Sequence, residues 1–373
     1  MTNIFKFNLL TNDGESRLGV LSTYYGSINT PAFMPVGTSA TVKGIMPDQI
    51  LTTNSEIILC NTYHLMLRPG KDVIKKLGGI NNFMNWKRPI LSDSGGFQIM
   101  SLSSLAKSAE DGVSFKSHID GKKIFMSPEN CMDLQVTFDV DIAMVLDECI
   151  PFPIDYKSAE KSMLRSMNWA KRSKKSWIPR EGKGLFGIVQ GGIYEDLRQD
   201  SVSMLQEINF DGFAIGGLAV GEGQEEMLKV LDYTTKKLPT DKPRYLMGVG
   251  KPDDIIKAVL KGVDMFDCVL PTRSGRTGQA FTRNGPINIR NACYANDISP
   301  LDENIVNPAS NNYSKAYLHH LFKSKEILGA VLLTLHNISF YQWLMRSIRE
   351  AIKNKKMAEF SSNFLKTYSS GSK

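Results

Sequence analysis

The chain has 373 residues, of which 42% are hydrophobic, an ordinary proportion for a soluble globular protein. Lysine and arginine (45) outnumber aspartate and glutamate (38), and the net charge of +7 suits a polyanionic partner such as nucleic acid without requiring one. The five cysteines are odd in number and scattered, which excludes a disulfide framework. The sequence shows no signal peptide and no stretch apolar enough to span a bilayer. We therefore expect a cytoplasmic protein with reduced thiols.

The chain begins with a predicted antiparallel hairpin, in which residues 5–9 and 18–21 are joined by a turn at Asn12-Asp13-Gly14. After it, short apolar runs each end in a polar or glycine-rich motif and lead into a helix-like stretch. Apolar strands that alternate with helices predict a parallel sheet covered on both faces, and the number of units favours a closed (β/α)8 TIM barrel, in which all strand ends with these motifs converge on one face. The apolar runs are residues 57–60, 90–91, 142–146, 185–189, 213–215, 245–247 and 263–266.

Two regions depart from this pattern. Residues 107–123 are irregular and predict an insertion, and residues 286–337 are rich in asparagine and turn formers before they give way to helices. We therefore expect a catalytic barrel with its hairpin over residues 1–285, a C-terminal helical subdomain over 286–366 and a disordered tail over 367–373. The last long helix has a helical period of apolar residues on one face: Ile338, Tyr341, Leu344, Met345, Ile348 and Ile352.

Three aspartates, Asp93, Asp147 and Asp267, end predicted barrel strands. Aspartate is seldom buried without a partner, so three at one barrel mouth indicate a polar site. The alternative for each aspartate is that its side chain caps the following helix. This interpretation stays open for Asp93, because the Ser-Gly-Gly that follows also suits a turn. It is weak for Asp267, which interrupts an apolar run. Glycine pairs after three of the strands either make tight turns or let a planar ligand approach the backbone.

Five motifs follow one another along the chain: Asp93-Ser94-Gly95-Gly96-Phe97-Gln98, Asp147-Glu148-Cys149, and residues 187–192, 216–222 and 266–273. In this order and spacing they closely resemble the bacterial-type tRNA-guanine transglycosylases, the queuine tRNA-ribosyltransferase family. The resemblance covers nearly the whole chain, from about Phe7 to about Phe364. It implies a pentosyltransferase of queuosine biosynthesis that exchanges the wobble guanine of GUN anticodons for 7-aminomethyl-7-deazaguanine (preQ1). The tRNA partners that it implies are those for aspartate, asparagine, histidine and tyrosine.

The resemblance also implies residue roles. Asp267 matches the nucleophile that attacks the ribose anomeric carbon and forms a covalent ribosyl ester, and Asp93 matches the general acid/base. The Leu218 carbonyl would accept from the aminomethyl group of preQ1, Glu222 would stabilise that peptide, and Cys149 and Val220 match the pattern that favours preQ1 over queuine. The implied base-binding residues are Ser94, Gly95, Gly96, Phe97, Asp147, Cys149, Gln190, Gly217, Leu218, Val220, Glu222 and Met247.

Two segments match the RNA-contacting parts of the family, which must hold a guanine outside its stack. Arg273 and Arg276 are suited to phosphates or base stacking, although Arg276 also fits a solvated loop charge. The residues concerned are Gly248, Val249, Gly250, Lys251, Pro252, Asp253, Asp254, Thr272, Arg273, Ser274, Gly275 and Arg276.

The chain departs from the family at its structural zinc site, a Cys-x-Cys-x-x-Cys motif followed by a histidine. The three cysteine positions fall on Ile305, Asn307 and Ser310, and only the histidine, His336, remains. Isoleucine cannot bind a metal, and neutral asparagine and serine are poor zinc ligands. We therefore predict no cofactor and no tightly bound zinc, with His336 packed and hydrogen-bonded. The resemblance further implies a homodimer.

Two other classes of protein compete with this interpretation. A non-catalytic tRNA-binding protein of the same fold would be expected to lose the acid/base or the nucleophile, yet Asp93 and Asp267 both stand. Another barrel enzyme, such as an aldolase or a glycosidase acting on free sugars, would not need the purine-edge set of Asp147, Gln190 and Gly217.

Overall fold

The computed structural model describes residues 5–102 and 106–370. The strands, in chain order, are β1 Lys6–Asp13, β2 Ser16–Thr23, β3 Gly26–Thr30, β4 Ala32–Pro35, β5 Ile58–Asn61, β6 Ile90–Asp93, β7 Lys107–Ala109, β8 Gly112–Lys116, β9 Lys123–Met126, β10 Ile142–Met144, β11 Gly184–Val189, β12 Gly212–Ile215, β13 Arg244–Leu246, β14 Met265–Cys268, β15 Gln279–Thr282 and β16 Gly285–Asn288. The helices are α1 Pro47–Thr52, α2 Thr62–Leu67, α3 Lys71–Lys76, α4 Ile80–Phe83, α5 Gly96–Leu102, α6 Pro128–Phe138, α7 Tyr156–Ser176, α8 Glu195–Ile208, α9 Gly223–Thr235, α10 Pro252–Val259, α11 Leu270–Thr277, α12 Pro308–Asn312, α13 Lys315–Lys323, α14 Ile327–Lys353 and α15 Met357–Ser370, with a short 3-10 helix at Ala292–Tyr294.

Eight parallel strands form the central sheet in the order β4-β14-β13-β12-β11-β10-β6-β5. A parallel bridge between Val36 and Leu59 joins the strands at its two ends, so the sheet forms a barrel. With helices between successive strands, this is the predicted TIM-barrel class, which is confirmed. Sequence analysis missed β4, because Pro31 and Pro35 shorten its apolar run to Ala-Phe-Met and proline weakens a strand pattern.

The antiparallel β1-β2-β3 sheet lies at the amino-terminal end of the barrel. The predicted hairpin is confirmed as β1 and β2, and β3 extends it. Arg17 of β2 forms a buried ion pair with Asp264, at 3.1 Å from Nε to Oδ1, and donates to the carbonyl oxygens of Thr240 and Lys242. These partners precede β13 and β14, so the sheet covers the end of the barrel opposite the strand ends that carry the motifs.

Helix α14 is the central helix of the C-terminal half. The six apolar residues predicted to share one face of it are all fully buried. Burial is not confined to that face, because every residue from 332 to 342 is buried and the helix is enclosed on all sides there. We expected no stretch apolar enough to span a bilayer; by length and composition α14 is such a stretch, but 72% of its apolar window is buried inside the protein. A mostly buried helix of this kind is typical of a protein core.

A second cluster of buried hydrophobic residues forms a separate small core beside the barrel. It is built from the strands and helices that follow the last barrel strand, and it comprises Ala280, Ile289, Leu301, Ala309, Leu318, Leu321, Leu332 and Leu333. The boundary that we placed at residue 285 stays a prediction.

Two expectations from sequence differ from the structure. Residues 107–123 are not irregular but contribute to a three-stranded antiparallel sheet, β7-β8-β9. Strand β8 buries Val113 and Phe115 in alternation, but β7 is exposed throughout and β9 buries only Met126, so two of the three strands lack the pattern of a half-buried strand. The tail that we placed over residues 367–373 begins as helix, because α15 continues to Ser370; residues 371–373 lie outside the described residues.

Candidate active site

The three predicted aspartates meet at the carboxyl end of the barrel. Asp93 is the last residue of β6, Asp267 lies in β14, and Asp147 follows β10. Asp93 and Asp147 are buried and Asp267 is half-buried. Helix capping does not explain Asp147 or Asp267, because α7 is capped by Asp155 and the residue before α11 is Val269. The structure therefore gathers three carboxylates into one site.

Asp93 is in an environment that favours its protonated form. Burial and then the charges of Asp147 and Asp267 raise the pKa of Asp93 to about 7, while the backbone N–H groups of Gly95 and Ser94 oppose the shift. Asn61 donates from Nδ2 to Oδ2 of Asp93 at 3.0 Å and fixes the carboxyl group. A carboxyl group with this pKa can both give and take a proton near neutral pH, as a general acid/base must.

Asp147 and Gln190 form a polar pair beside it. Gln190 donates from Nε2 to Oδ2 of Asp147 at 2.7 Å, and Ser94 Oγ donates to Oδ1 at 3.5 Å. Burial raises the pKa of Asp147 to about 6 against these hydrogen bonds. Gln190 Oε1 is buried and has no hydrogen-bond partner among the described residues. Because buried polar atoms are normally paired, the two side chains present acceptors for a ligand that carries N–H donors, as guanine does.

Asp267 is held through one of its two carboxylate oxygens. Oδ1 accepts from the Tyr245 hydroxyl at 2.6 Å and from the Gly248 backbone N–H at 2.7 Å. Desolvation raises the pKa of Asp267, and these two hydrogen bonds oppose the rise because they stabilise the carboxylate. In the described part of the chain no donor binds Oδ2, so this oxygen can attack an electrophile.

Three glycines beside Asp147 and Gln190 are required by close contacts. A Cβ atom at Gly96 would lie 2.6 Å from the carbonyl oxygen of Asp147 and 2.7 Å from its Oδ1. A Cβ atom at Gly217, whose φ is +66°, would lie 2.6 Å from Gln190 Oε1, and one at Gly216 would lie 2.8 Å from Gln190 Nε2. Side chains at these positions would displace Asp147 or Gln190. At Gly217 glycine is needed for two reasons: its φ is positive, as in a tight turn, and Gln190 lies too close for a side chain.

The loop after β12 has a defined peptide orientation. The Glu222 carboxylate accepts from Ala219 N at 2.5 Å and from Val220 N at 3.0 Å. Since C=O and N–H point in opposite directions in a trans peptide, the Leu218 carbonyl is directed away from Glu222. This is the orientation that the resemblance implies for a carbonyl acceptor of an amine.

The remaining predicted base-binding residues lie around the same mouth. Phe97, on the first turn of α5, is 45% exposed, so its ring is accessible for stacking. Cys149 and Met247 are half-buried. Burial raises the pKa of the Cys149 thiol, which keeps it protonated and neutral.

The two predicted RNA-contacting segments divide into exposed and buried residues. Gly248, Lys251 and Arg273 are exposed, and Asp253, Asp254 and Arg276 are half-buried. Arg276 is partly enclosed: its Nη1 is buried and has no hydrogen-bond partner among the described residues. The other residues are buried and position the segments: Val249, Gly250, Pro252, Thr272, Ser274 and Gly275.

Gly275 shows why part of this segment is structural. A Cβ atom there would lie 2.7 Å from the backbone nitrogen of Thr334, so the glycine lets α11 pack directly on α14. The charged side chains that these segments expose most are Lys251 and Arg273, whose charges suit phosphate groups.

Comparison with known proteins gives the family. The family model described as queuine tRNA-ribosyltransferase matches residues 13–370. A queuine tRNA-ribosyltransferase of Jannaschia sp. (strain CCS1) is 56% identical over 364 residues, which cover 98% of this chain and 97% of that protein. Proteins of the same name from Zymomonas mobilis subsp. mobilis and Rickettsia rickettsii are 55% and 54% identical and cover 98% and 96% of this chain.

The chain belongs to the queuine tRNA-ribosyltransferase family. The predicted family is confirmed, and with it the class, a glycosyltransferase of tRNA modification in queuosine biosynthesis. An aldolase or a glycosidase acting on free sugars is excluded.

The four residues that match the zinc-ligand positions of the family lie close together: Ile305, Asn307, Ser310 and His336. His336 is fully buried; its Nδ1 lies 2.8 Å from Ser310 Oγ, and its Nε2 lies 2.8 Å from the Phe281 carbonyl oxygen. The carbonyl can only accept, so Nε2 carries the proton and Nδ1 accepts from the Ser310 hydroxyl. Burial lowers the pKa of His336 to about 4, which keeps it neutral. Asn307 Nδ2 donates to the carbonyl oxygen of Ile305 at 2.8 Å.

This donor set does not fit zinc. It offers one imidazole nitrogen, a neutral amide and a hydroxyl, and Ile305 contributes only a buried apolar side chain. No cluster of three or more His, Cys, Asp or Glu residues suited to a metal occurs in residues 5–102 and 106–370.

Two residues of the site were not predicted from sequence: Tyr245, which donates to Asp267, and Asn61, which donates to Asp93. Asn61 had a signal, since it directly follows an apolar run at a predicted strand end, as Asp93 does. Tyr245 had none, because a tyrosine inside an apolar strand is usually part of the core.

Proposed function

We propose that this family member exchanges the wobble guanine of tRNAs with GUN anticodons for preQ1 through a covalent ribosyl ester on Asp267. The observation that carries the proposal is the geometry of Asp267: Oδ1 is held by Tyr245 and Gly248, and Oδ2 remains available beside Asp93. Family membership supplies tRNA as the substrate.

The chemistry is a double displacement. Asp267 Oδ2 forms a bond to C1′ of the ribose as the bond from C1′ to N9 of guanine breaks, and the departing base takes the bonding electrons and a proton from Asp93. The incoming base then gives its N9 proton to Asp93, its nitrogen bonds to C1′, and the ester electrons return to Asp267. Two inversions give retention, and Asp93 ends in its starting state.

The base is recognised by the groups around it. The Asp147 carboxylate and Gln190 Oε1 accept from N–H donors on the base edge, and the ring of Phe97 offers a stacking surface. The Leu218 carbonyl, turned away from Glu222, accepts from the aminomethyl group of preQ1. Val220 limits the room at this place, which favours preQ1 over the bulkier queuine.

The exchange is tested with tRNA and labelled guanine. The wild-type protein should incorporate label and give a covalent RNA adduct on a denaturing gel, and Asp267→Asn should do neither. Asp232→Asn, on α9 and paired with Lys261 at 2.6 Å, is the matched control and should retain both. Incorporation by Asp267→Asn at the wild-type rate would refute the nucleophile.

The choice of incoming base is tested by initial rates with preQ1 and queuine. The wild-type protein should use preQ1 far faster, and Val220→Gly should raise the rate with queuine because it enlarges the space near the Leu218 carbonyl. Comparable wild-type rates for the two bases would contradict the proposal.

We also propose that the protein binds no zinc, supported by the donor set of Asn307, Ser310 and His336. Metal analysis of the purified protein should find no stoichiometric zinc; about one tightly held zinc per chain would refute this. From the family resemblance we further propose a cytoplasmic homodimer, to be tested by localisation of the tagged protein and by light scattering.

A further inference from the structure

Arg198 is a charged side chain buried behind the glycine-rich loops of the barrel mouth. It lies on α8 and is fully buried. Its hydrogen-bond partners are backbone carbonyl oxygens, with no carboxylate among them in the described part of the chain. Burying a guanidinium without a carboxylate is costly, and burial lowers the pKa of Arg198 to about 10. The cost of burying Arg198 therefore has to be offset by what its guanidinium does in the structure.

The guanidinium ties together two loops that line the base pocket. Nε donates to the Gly192 carbonyl at 2.8 Å, and Nη1 donates to the carbonyls of Val189 at 3.1 Å and Gly216 at 2.8 Å. Nη2 reaches the Gly217 carbonyl at 3.5 Å. Arg198 thus connects the end of β11 with the loop after β12.

The contact with Gly216 fixes the direction of the next N–H group. The Gly216 carbonyl and the Gly217 N–H belong to one trans peptide and point in opposite directions. Because the carbonyl points at Arg198, the Gly217 N–H points away from it, and no described residue accepts a hydrogen bond from that N–H. Gln190 lies beside the same glycine, since a Cβ atom at Gly217 would be 2.6 Å from its Oε1.

We propose that Arg198 is a positioning residue for base recognition, which holds the Gly216 carbonyl so that the Gly217 N–H is presented to the acceptor at C6 of guanine. The inference rests on the proposed function and on the family resemblance, which implies Gly217 as a base-binding residue. Lysine would keep the charge, but its single ammonium cannot span the four carbonyls that the planar guanidinium reaches.

The first experiment compares Arg198→Lys with the wild-type protein in guanine exchange. The substitution should raise KM for guanine at least about tenfold and leave KM for tRNA within about threefold, because one hydrogen bond to the base is weakened and the RNA surface is untouched. Arg244→Lys is the matched control. Arg244 is also buried and donates to backbone carbonyls, of Leu238 at 2.9 Å and Gly262 at 3.4 Å, but at the amino-terminal end of the barrel.

Both variants should melt at a lower temperature than the wild-type protein, but only Arg198→Lys should change KM for guanine. An unchanged KM in folded Arg198→Lys, or an equal change in Arg244→Lys, would overturn the inference. Should Arg198→Lys not fold, Arg198→Gln, which keeps a shorter pair of N–H donors, replaces it in the same comparison.

A second measurement changes the base instead of the protein and is made on the wild-type protein and on Arg198→Lys. 6-Thioguanine keeps the N–H donors of guanine but has sulfur, a weak acceptor, in place of the C6 oxygen. The wild-type protein should bind it at least about tenfold more weakly than guanine, and Arg198→Lys should distinguish the two bases less. Equal wild-type inhibition constants would overturn the inference. Absence of any guanine exchange by the wild-type protein would instead refute the proposed function.

Discussion

Substitution Tyr245→Phe isolates the hydrogen bond that holds the proposed nucleophile. Tyr245 is buried in β13, and its hydroxyl donates to Asp267 Oδ1 at 2.6 Å. The change removes one oxygen atom and leaves the ring in the core. The backbone N–H of Gly248 remains as the second donor to the same oxygen, at 2.7 Å.

The expected effect follows from the strength of a hydrogen bond to a charged group, about 1.5–3 kcal/mol. Asp267 must be ionised to attack, and the Tyr245 hydroxyl opposes the rise in its pKa that desolvation causes. Without the hydroxyl the pKa of Asp267 rises further, so the protonated, inactive fraction grows as the pH falls. We expect a loss of exchange of about 10- to 100-fold at acidic pH that narrows as the pH is raised.

The assay is the pH profile of kcat for guanine exchange. Tyr245→Phe should shift the acidic limb of the profile to higher pH. Tyr156→Phe is the control, because the Tyr156 hydroxyl also donates to a carboxylate, Asp196 Oδ2 at 2.6 Å, but between the outer helices α7 and α8; its profile should match that of the wild-type protein. A uniform loss at all pH values in Tyr245→Phe, with no shift of the limb, would show that the hydroxyl does not act through ionisation of Asp267.

Three further predictions concern the site and its surroundings. Asp93→Asn should lower kcat for exchange by at least about 100-fold and remove the pH dependence near 7, measured with labelled guanine; a retained inflection near 7 would assign it to another group. Gly96→Ala should raise KM for guanine at least about tenfold, because the added methyl group displaces Asp147, and wild-type kinetics would contradict that contact. Replacing Ile305, Asn307 and Ser310 with cysteine should create a site that, with His336, holds about one zinc per chain and raises the melting temperature. If the triple variant binds no zinc, the segment no longer has the geometry of the family site.

Sequence could predict the barrel and its carboxylates because both depend on local patterns. Each apolar run ends in its polar motif, and parallel strands bring those ends to one face, so Asp93, Asp147 and Asp267 are gathered by topology alone. The partners of these residues depend on contacts across strands. Tyr245 pairs in register with Met265, and its hydroxyl binds Asp267 on that neighbouring strand. The sequence does not show this register, so it does not show that the two side chains meet.

Backbone acceptors are invisible to sequence patterns for a related reason. Arg198 was not distinguished from other helical arginines, because its partners are four carbonyl oxygens and every residue has one. Only the fold shows that α8 places its guanidinium behind Gly216 and Gly217, where the direction of a carbonyl determines the direction of the next N–H.

The segment around Ile305, Asn307 and Ser310 shows how a region that resembles the zinc site of the family can be held by hydrogen bonds and packing. In a zinc site, four strong bonds would join residues 305–310 to α14. Here the connection runs from Ser310 through His336 to the Phe281 carbonyl, and Asn307 caps α12 by accepting from two backbone N–H groups. Each such hydrogen bond contributes about 1 kcal/mol net, and burial of Ile305 adds about 1.5–3 kcal/mol, so together they contribute less than a structural zinc ion would. We therefore expect the stability of this region to depend on packing and to be insensitive to chelators. We also expect chelators to leave guanine exchange unchanged, because Asp93, Asp147 and Asp267 lie at the ends of other strands.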